Sequence, residues 1–116
     1  TMSIPFPGTS VRGSKTGKPV MALLDLLGRT WALGILWNLS QGSASFNRLQ
    51  QKCENISPTL LNTRLKELQA TGLIEKTLDG YRLSALGEQL FSLIEPMGGW
   101  SKHWQEYLIS QGVINE

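Results

Sequence analysis

The chain has 116 residues, enough for one hydrophobic core but not for two that would each fold alone. Its charged fraction of 17 % lies under the roughly 25 % of an ordinary soluble domain, and its net charge is only +2. These values exclude a charge-rich disordered segment and a polycationic tail, and they leave room for apolar surface against a partner. One cysteine and one histidine, His103, exclude a disulfide framework and zinc sites that need two of either.

The charge is unevenly spread. Residues 1–82 carry an excess of +5, and residues 83–116 carry −3. This asymmetry fits an anion-binding face followed by a separate assembly segment. Thr1 ahead of Met2 reads as a residue left by tag removal. No signal-peptide pattern opens the chain, and the apolar stretch Val20 to Trp37 is interrupted by Asp25 and Arg29, so it is not a membrane span. A cytoplasmic location is expected.

Residues 1–18 are rich in Gly, Ser, Pro and Lys and predict a flexible arm. Pro19 suits the first position of a helix carrying Val20, Leu23, Leu24 and Leu27, ended by Gly28. A second helix is predicted over about 30–40, with Trp31, Ile35, Leu36 and Leu39 on one face. A third, short helix starts at Ser45 and frays near Lys52. Ser57-Pro58 is the clearest start signal in the chain, a capping hydroxyl followed by a proline, and the fourth helix runs to about Ala70. At about 100° per residue, Leu61, Leu65 and Leu68 form a buried stripe, while Thr59, Asn62, Thr63 and Lys66 share the opposite, polar face.

After Gly72, residues 73–78 and 81–83 predict two strands joined by the two-residue turn Asp79-Gly80. Ser84 caps a fifth helix with Leu86, Leu90, Phe91 and Ile94. Pro96 and Gly98-Gly99 predict a kink or break before a last helical stretch. The expected fold is mainly α with a small β-hairpin: a winged helix-turn-helix over 19–95, followed by a terminal helix within 96–116. Such a plan suits duplex DNA, because the major groove admits one helix whose exposed side chains reach base edges.

The sequence resembles the HxlR-type winged-helix transcriptional regulators. The resemblance is carried by Leu23-Leu24-Asp25-Leu26-Leu27-Gly28-Arg29-Thr30-Trp31, Ile35-Leu36 and Phe46-Asn47-Arg48-Leu49. It continues through Ile56-Ser57-Pro58, Leu61, Arg64-Leu65-Lys66-Glu67-Leu68 and Gly72-Leu73-Ile74, and ends with Tyr81-Arg82-Leu83-Ser84, Gly87 and Trp100. It implies a homodimeric, sequence-specific DNA-binding regulator, expected to be a repressor, whose fourth helix enters the major groove and whose terminal helices pair across a two-fold axis. Three departures stand out. Lys18 occupies the position where relatives usually carry a cysteine before the helix-opening proline. Asp79-Gly80 closes a shorter wing, which weighs against minor-groove contact by the wing cations Lys76 and Arg82. Thr59 stands where relatives often have a lysine, so weaker phosphate attraction is expected.

Thr59, Asn62, Thr63 and Lys66 are the candidate base-reading set, against the plain alternative of a solvated helix face. Ser45, Asn47, Arg48 and Ser57 are candidate phosphate contacts, with capping and surface charge as the other reading. Arg29, with Thr30, opens the second helix near a phosphate. Arg64 either reaches a phosphate or braces the domain through Glu67 or Asp25. Cys53 and His103 read as structural and surface residues, and the scattered carboxylates suggest no enzyme, metal or cofactor.

Met97, Trp100, Trp104, Tyr107 and Leu108 form an apolar stripe after the core is complete. With Leu23 and Leu27 they are the candidate dimer interface. A dimer predicts a palindromic operator with recognition helices about 34 Å apart, and an aromatic seam where an unidentified small-molecule effector has room. The alternative is a winged helix used for protein association without DNA.

Overall fold

The computed structural model describes residues 3–116; Thr1 and Met2, with their reading as a tag remnant, lie outside the described residues. Six helices and one hairpin follow in the order α1 (Pro19–Leu27), α2 (Ala32–Leu39), α3 (Phe46–Lys52), α4 (Pro58–Ala70), β1 (Ile74–Lys76), β2 (Tyr81–Leu83), α5 (Ala85–Ile94) and α6 (Pro96–Ser110). The expected fold class is the one observed, a winged helix-turn-helix.

Helix starts obey their caps. The Ser45, Ser57 and Ser84 hydroxyls accept the backbone N–H of Arg48, Leu60 and Gly87 respectively, each such cap being worth about 1 kcal/mol. The core is built mainly from α2, α3 and α4. Ile35, Leu36, Leu49, Leu61, Leu65 and Leu68 are fully buried in it, and Cys53 joins them.

The turn between α3 and α4 contains no glycine, yet Glu54 and Asn55 both take left-handed backbone conformations, φ 56° and 59°. The Gln50 carbonyl accepts the Asn55 N–H at 2.9 Å, and the Gln50 side chain donates to the Ile56 carbonyl at 3.0 Å. These bonds offset the roughly 1–2 kcal/mol that a non-glycine residue loses in that conformation.

Four departures from the sequence reading have physical causes. The second helix begins at Ala32, two residues later than expected, because Trp31 is left-handed (φ 68°) and interrupts the helix.

The hairpin pairs Ile74 with Leu83, Glu75 with Arg82 and Lys76 with Tyr81, so its loop is the four residues 77–80 and not Asp79-Gly80 alone. Gly80 serves a close approach: a Cβ there would collide with the Ala44 backbone. Ala44 and Tyr81 exchange both backbone hydrogen bonds at 2.9 Å, a rudimentary third strand that pins the hairpin to the start of α3.

Residues 3–18, read from sequence as a flexible arm, form a strap. Gly8 N–H donates to Gly17 C=O at 2.8 Å, and Val11 and Ser14 pair inside that loop. Gly8, Gly13 and Gly17 all have positive φ, so these glycines make turns.

Gly98-Gly99 does not break the last helix. The two helices are separated by the single residue Glu95, which ends α5 and precedes Pro96 of α6 while keeping helical dihedrals (φ −51°, ψ −43°). Gly98 instead lets α6 approach the ring of Trp37, which meets Phe91 edge-on at 5.3 Å.

Candidate nucleic-acid interface

The inner face of α4 is apolar and buried, so its other side must face solvent. Thr59, Asn62, Thr63 and Lys66 are all exposed there, one short polar surface one helix wide. Thr63 Oγ1 donates to the Thr59 carbonyl at 3.0 Å, which fixes its rotamer and leaves its lone pairs outward. Ser45 and Ser57 use their hydroxyl oxygens as caps, leaving each O–H proton free to donate outward. Asn47 and Arg48 lie exposed in the first turn of α3. The caps of α3 and α4 therefore position backbone and side-chain donors on the helix-turn-helix.

Arg29 and Arg64 do not belong to this surface, and their assignment as phosphate contacts is corrected. The Arg29 side chain is 1 % exposed. Its Nη1 donates to Glu67 Oε2 at 2.6 Å, its Nε to Asp25 Oδ1 at 3.3 Å and its Nη2 to the Ser3 carbonyl at 2.7 Å. Arg64 donates through Nη1 to Glu67 Oε1 at 3.2 Å and through Nε to the Thr30 carbonyl at 2.8 Å. Glu67 thus bridges two arginines inside the protein. Moving either guanidinium to a phosphate would leave one oxygen of the buried Glu67 without its charged partner, which is costly in a poorly solvated site.

Asp25 closes the other end of this chain. Burial pushes its carboxyl pKa upward, but the Arg12 backbone N–H at 3.1 Å and the Arg29 and Arg12 guanidinium groups prevail and hold it below the usual aspartate range. Among the described residues no buried side-chain nitrogen or oxygen lacks a partner. Burying these two arginines against two carboxylates changes no net charge, so the excess of +5 over residues 1–82 resides on the remaining side chains, Arg48, Lys52 and Lys66 among them.

The wing is nearly neutral. Arg82 Nε pairs across the strands with Glu75 Oε2 at 3.0 Å, and Lys76 Nζ lies 5.9 Å from the centre of the Tyr81 ring. Asp79 lies in the loop. Both cations remain exposed, but their field toward a polyanion is offset by the two acids.

Cys53 is fully buried, and burial pushes its thiol pKa up despite the Asn38 amide at 3.8 Å, so it is no reactive thiolate.

The candidate dimer residues separate by position. Met97, Trp100, Trp104 and Tyr107 are 52–62 % exposed, and Trp100 and Trp104 stack with centroids 6.3 Å apart. Leu108 is half-buried. Leu23 and Leu27 are half-buried: Leu23 lines a groove shared with Pro5 and Pro7 of the strap, and Leu27 packs against the core. The apolar face that α1 leaves open carries Val20 and Leu24, one turn apart. Their i, i+4 spacing is visible in the sequence, but the strap that claims Leu23 is not.

A capped helix-turn-helix with a bare polar second helix and an attached hairpin defines a winged-helix DNA-binding protein. The profile of the HxlR-like helix-turn-helix family matches residues 26–108, and the chain belongs to that family of DNA-binding transcriptional regulators. The HTH-type transcriptional regulator MJ0925 of Methanocaldococcus jannaschii is 30 % identical over 98 residues, 81 % of this chain and 92 % of the relative. YybR of Bacillus subtilis is 26 % identical over 104 residues, 84 % and 83 % of the two chains. The redox regulator HypR in its reduced form has a TM-score of 0.70 at 25 % identity, over 80 % of this chain and 99 % of that one. Quinone-bound YodB from B. subtilis has a TM-score of 0.67 at 27 % identity, over 72 % and 96 %. No single helix among the described residues is long and apolar enough to cross a membrane.

Proposed function

We propose that this chain is a homodimeric regulator that reads a palindromic operator in duplex DNA and represses by occupying it. The observation that carries the reading is the face of α4 formed by Thr59, Asn62, Thr63 and Lys66, which is exposed while the opposite face is packed and braced by Glu67. Asn62 presents an amide suited to bidentate contact with an adenine edge, the threonines offer hydroxyls and methyls, and Lys66 supplies a phosphate contact. Ser45, Asn47, Arg48 and Ser57 set register against the backbone on either side of the helix-turn-helix. Lys76 and Arg82 add little, because Glu75 and Asp79 offset them.

Two copies pair through the exposed stripe on α6 together with Val20 and Leu24 of α1. Apolar surface of this extent on a small domain favours association. The pairing sets two α4 helices about one DNA turn, roughly 34 Å, apart.

Selection of bound duplexes from a random pool, followed by titration at several salt concentrations, tests the reading. Lys66→Ala weakens binding on every sequence and lowers the salt slope by about one unit. Asn62→Ala leaves that slope alone and relaxes preference at one base pair, a loss of about 1–3 kcal/mol in discrimination. Wild-type-like binding of every duplex by both variants removes α4 from the reading role. Absence of salt-dependent binding by the wild-type chain points instead to a winged helix serving protein association alone.

A further inference from the structure

The strap does more than cover α1. Its Ser3 carbonyl takes the third donor of Arg29, and its Arg12 backbone N–H and guanidinium both engage Asp25, with the guanidinium at 3.5 Å. From Arg29 the contacts run to Glu67, and from Glu67 to Arg64, both on the underside of α4. Pro5 and Pro7 share an apolar groove of about 130 Å³ with Thr71 and Leu73, just beyond the other end of α4. The strap therefore meets the recognition helix along one flank through buried charge and shares a groove with the residues that follow it.

We infer that residues 3–18 are a positioning element for DNA recognition, acting on α4 through the Asp25–Arg29–Glu67–Arg64 chain. The inference rests on the DNA-reading role of α4. Its physical basis is that Arg29 has every nitrogen committed and Glu67 has both oxygens committed. When the strap lifts, Arg29 loses its bond to Ser3 and Asp25 loses two donors. The guanidinium then re-partners toward Asp25 or water, and Glu67 follows it. Base readout tolerates such a shift poorly, since functional geometry must hold to about 0.5 Å and 10–20°. The strap is held to the body through Ser3 and Arg12 and shaped by its own Gly8–Gly17 bond and Val11–Ser14 pair, and none of these bonds belongs to the apolar core, so lifting it leaves that core packed.

Gly17→Val is the variant expected to open the strap while leaving every residue of the chain of charges in place. Gly17 sits at φ +74°, and a Cβ there would press on the Gly8 backbone at 3.3 Å. Asp25→Asn is the second variant, removing the charge at the strap end of the chain whether or not the strap lifts. Gly13→Asn, at a left-handed turn with open space around it, is the control.

Two readouts are taken on the full-length chain: hydrogen exchange of the α4 amides without DNA, and affinity for the selected duplex relative to a random duplex of equal length. Gly17→Val and Asp25→Asn are expected to speed α4 exchange and to lower the selected-to-random ratio by about two- to thirtyfold. Random-duplex affinity, salt slope and folded fraction are expected to stay at wild-type values. An unchanged ratio, or affinities for both duplexes falling together with the folded fraction, overturns the inference. If the wild-type chain selects no duplex, the DNA-reading role fails. The α4 exchange rates still decide the coupling, and unchanged rates in both variants overturn it.

Discussion

Asp25 shows how a residue's role is set by what reaches it. Its carboxylate is buried, and it stays charged because two arginines and a backbone N–H converge on it. With a folded-state pKa below the unfolded value of about 3.9, ionised Asp25 contributes stability above that value. The contribution is lost as pH falls through the lower, folded-state value. Urea midpoints are therefore expected to fall as pH drops below about 4, and Asp25→Asn to flatten that acid limb. Parallel limbs for the two proteins would assign the acid loss to other carboxylates. Sequence gave the i, i+4 spacing of Asp25 and Arg29 and left Arg64 between two roles. It did not reveal that Glu67 receives both arginines, because one comes from a segment 38 residues away and the meeting is made by packing. The exposed polar face of α4 was legible for the opposite reason: its geometry follows from helix periodicity alone.

At the scale of elements, helix starts were legible wherever a serine hydroxyl serves as the cap, and less so where the backbone departs from the helix without a marker residue. Trp31, Glu54 and Asn55 are such cases: all three take left-handed conformations without a glycine to mark them. Gly80 is the converse, a glycine read as a turn residue whose true constraint is the neighbouring Ala44 backbone. Gly80→Val is accordingly expected to break the Ala44–Tyr81 pair and detach the hairpin from the start of α3. The expected loss is about 2–4 kcal/mol, in the range of severe single substitutions. Thermal unfolding and amide exchange at Ala44 and Tyr81 check this; retained protection at both sites would show that the hairpin is anchored elsewhere. The strap belongs here too, because a Gly- and Ser-rich composition does not distinguish a loose segment from one whose glycines build turns.

The whole molecule is longer than its chain length requires. Its radius of gyration is 15.9 Å, against about 13.4 Å for a compact domain of this size. The excess reflects α6, which is packed near its root and otherwise has no buried residue. The terminal stripe was legible as an amphipathic pattern left over after the core was complete. The opposing contribution of α1 was not, because the strap decides which of its apolar faces remains open. Replacing Trp100 and Trp104 together by serine is expected to shift sedimentation from dimer to monomer at micromolar concentration and to leave helix content intact. It should also lower operator affinity by more than tenfold, through loss of the linked second site. A monomeric wild-type chain, or a double variant that stays dimeric, would place the pairing surface elsewhere.

The joint at Glu95 has no side-chain cap and is the only residue between α5 and α6. With 15 residues, α6 is about 22 Å long, so a 10° change at this joint swings its far end by about 4 Å. That is close to the rise of one base pair, roughly 3.4 Å. If α6 forms the dimer seam as proposed, the angle held at this joint would act as a caliper on the number of base pairs between the two half-sites, independently of which bases each half reads.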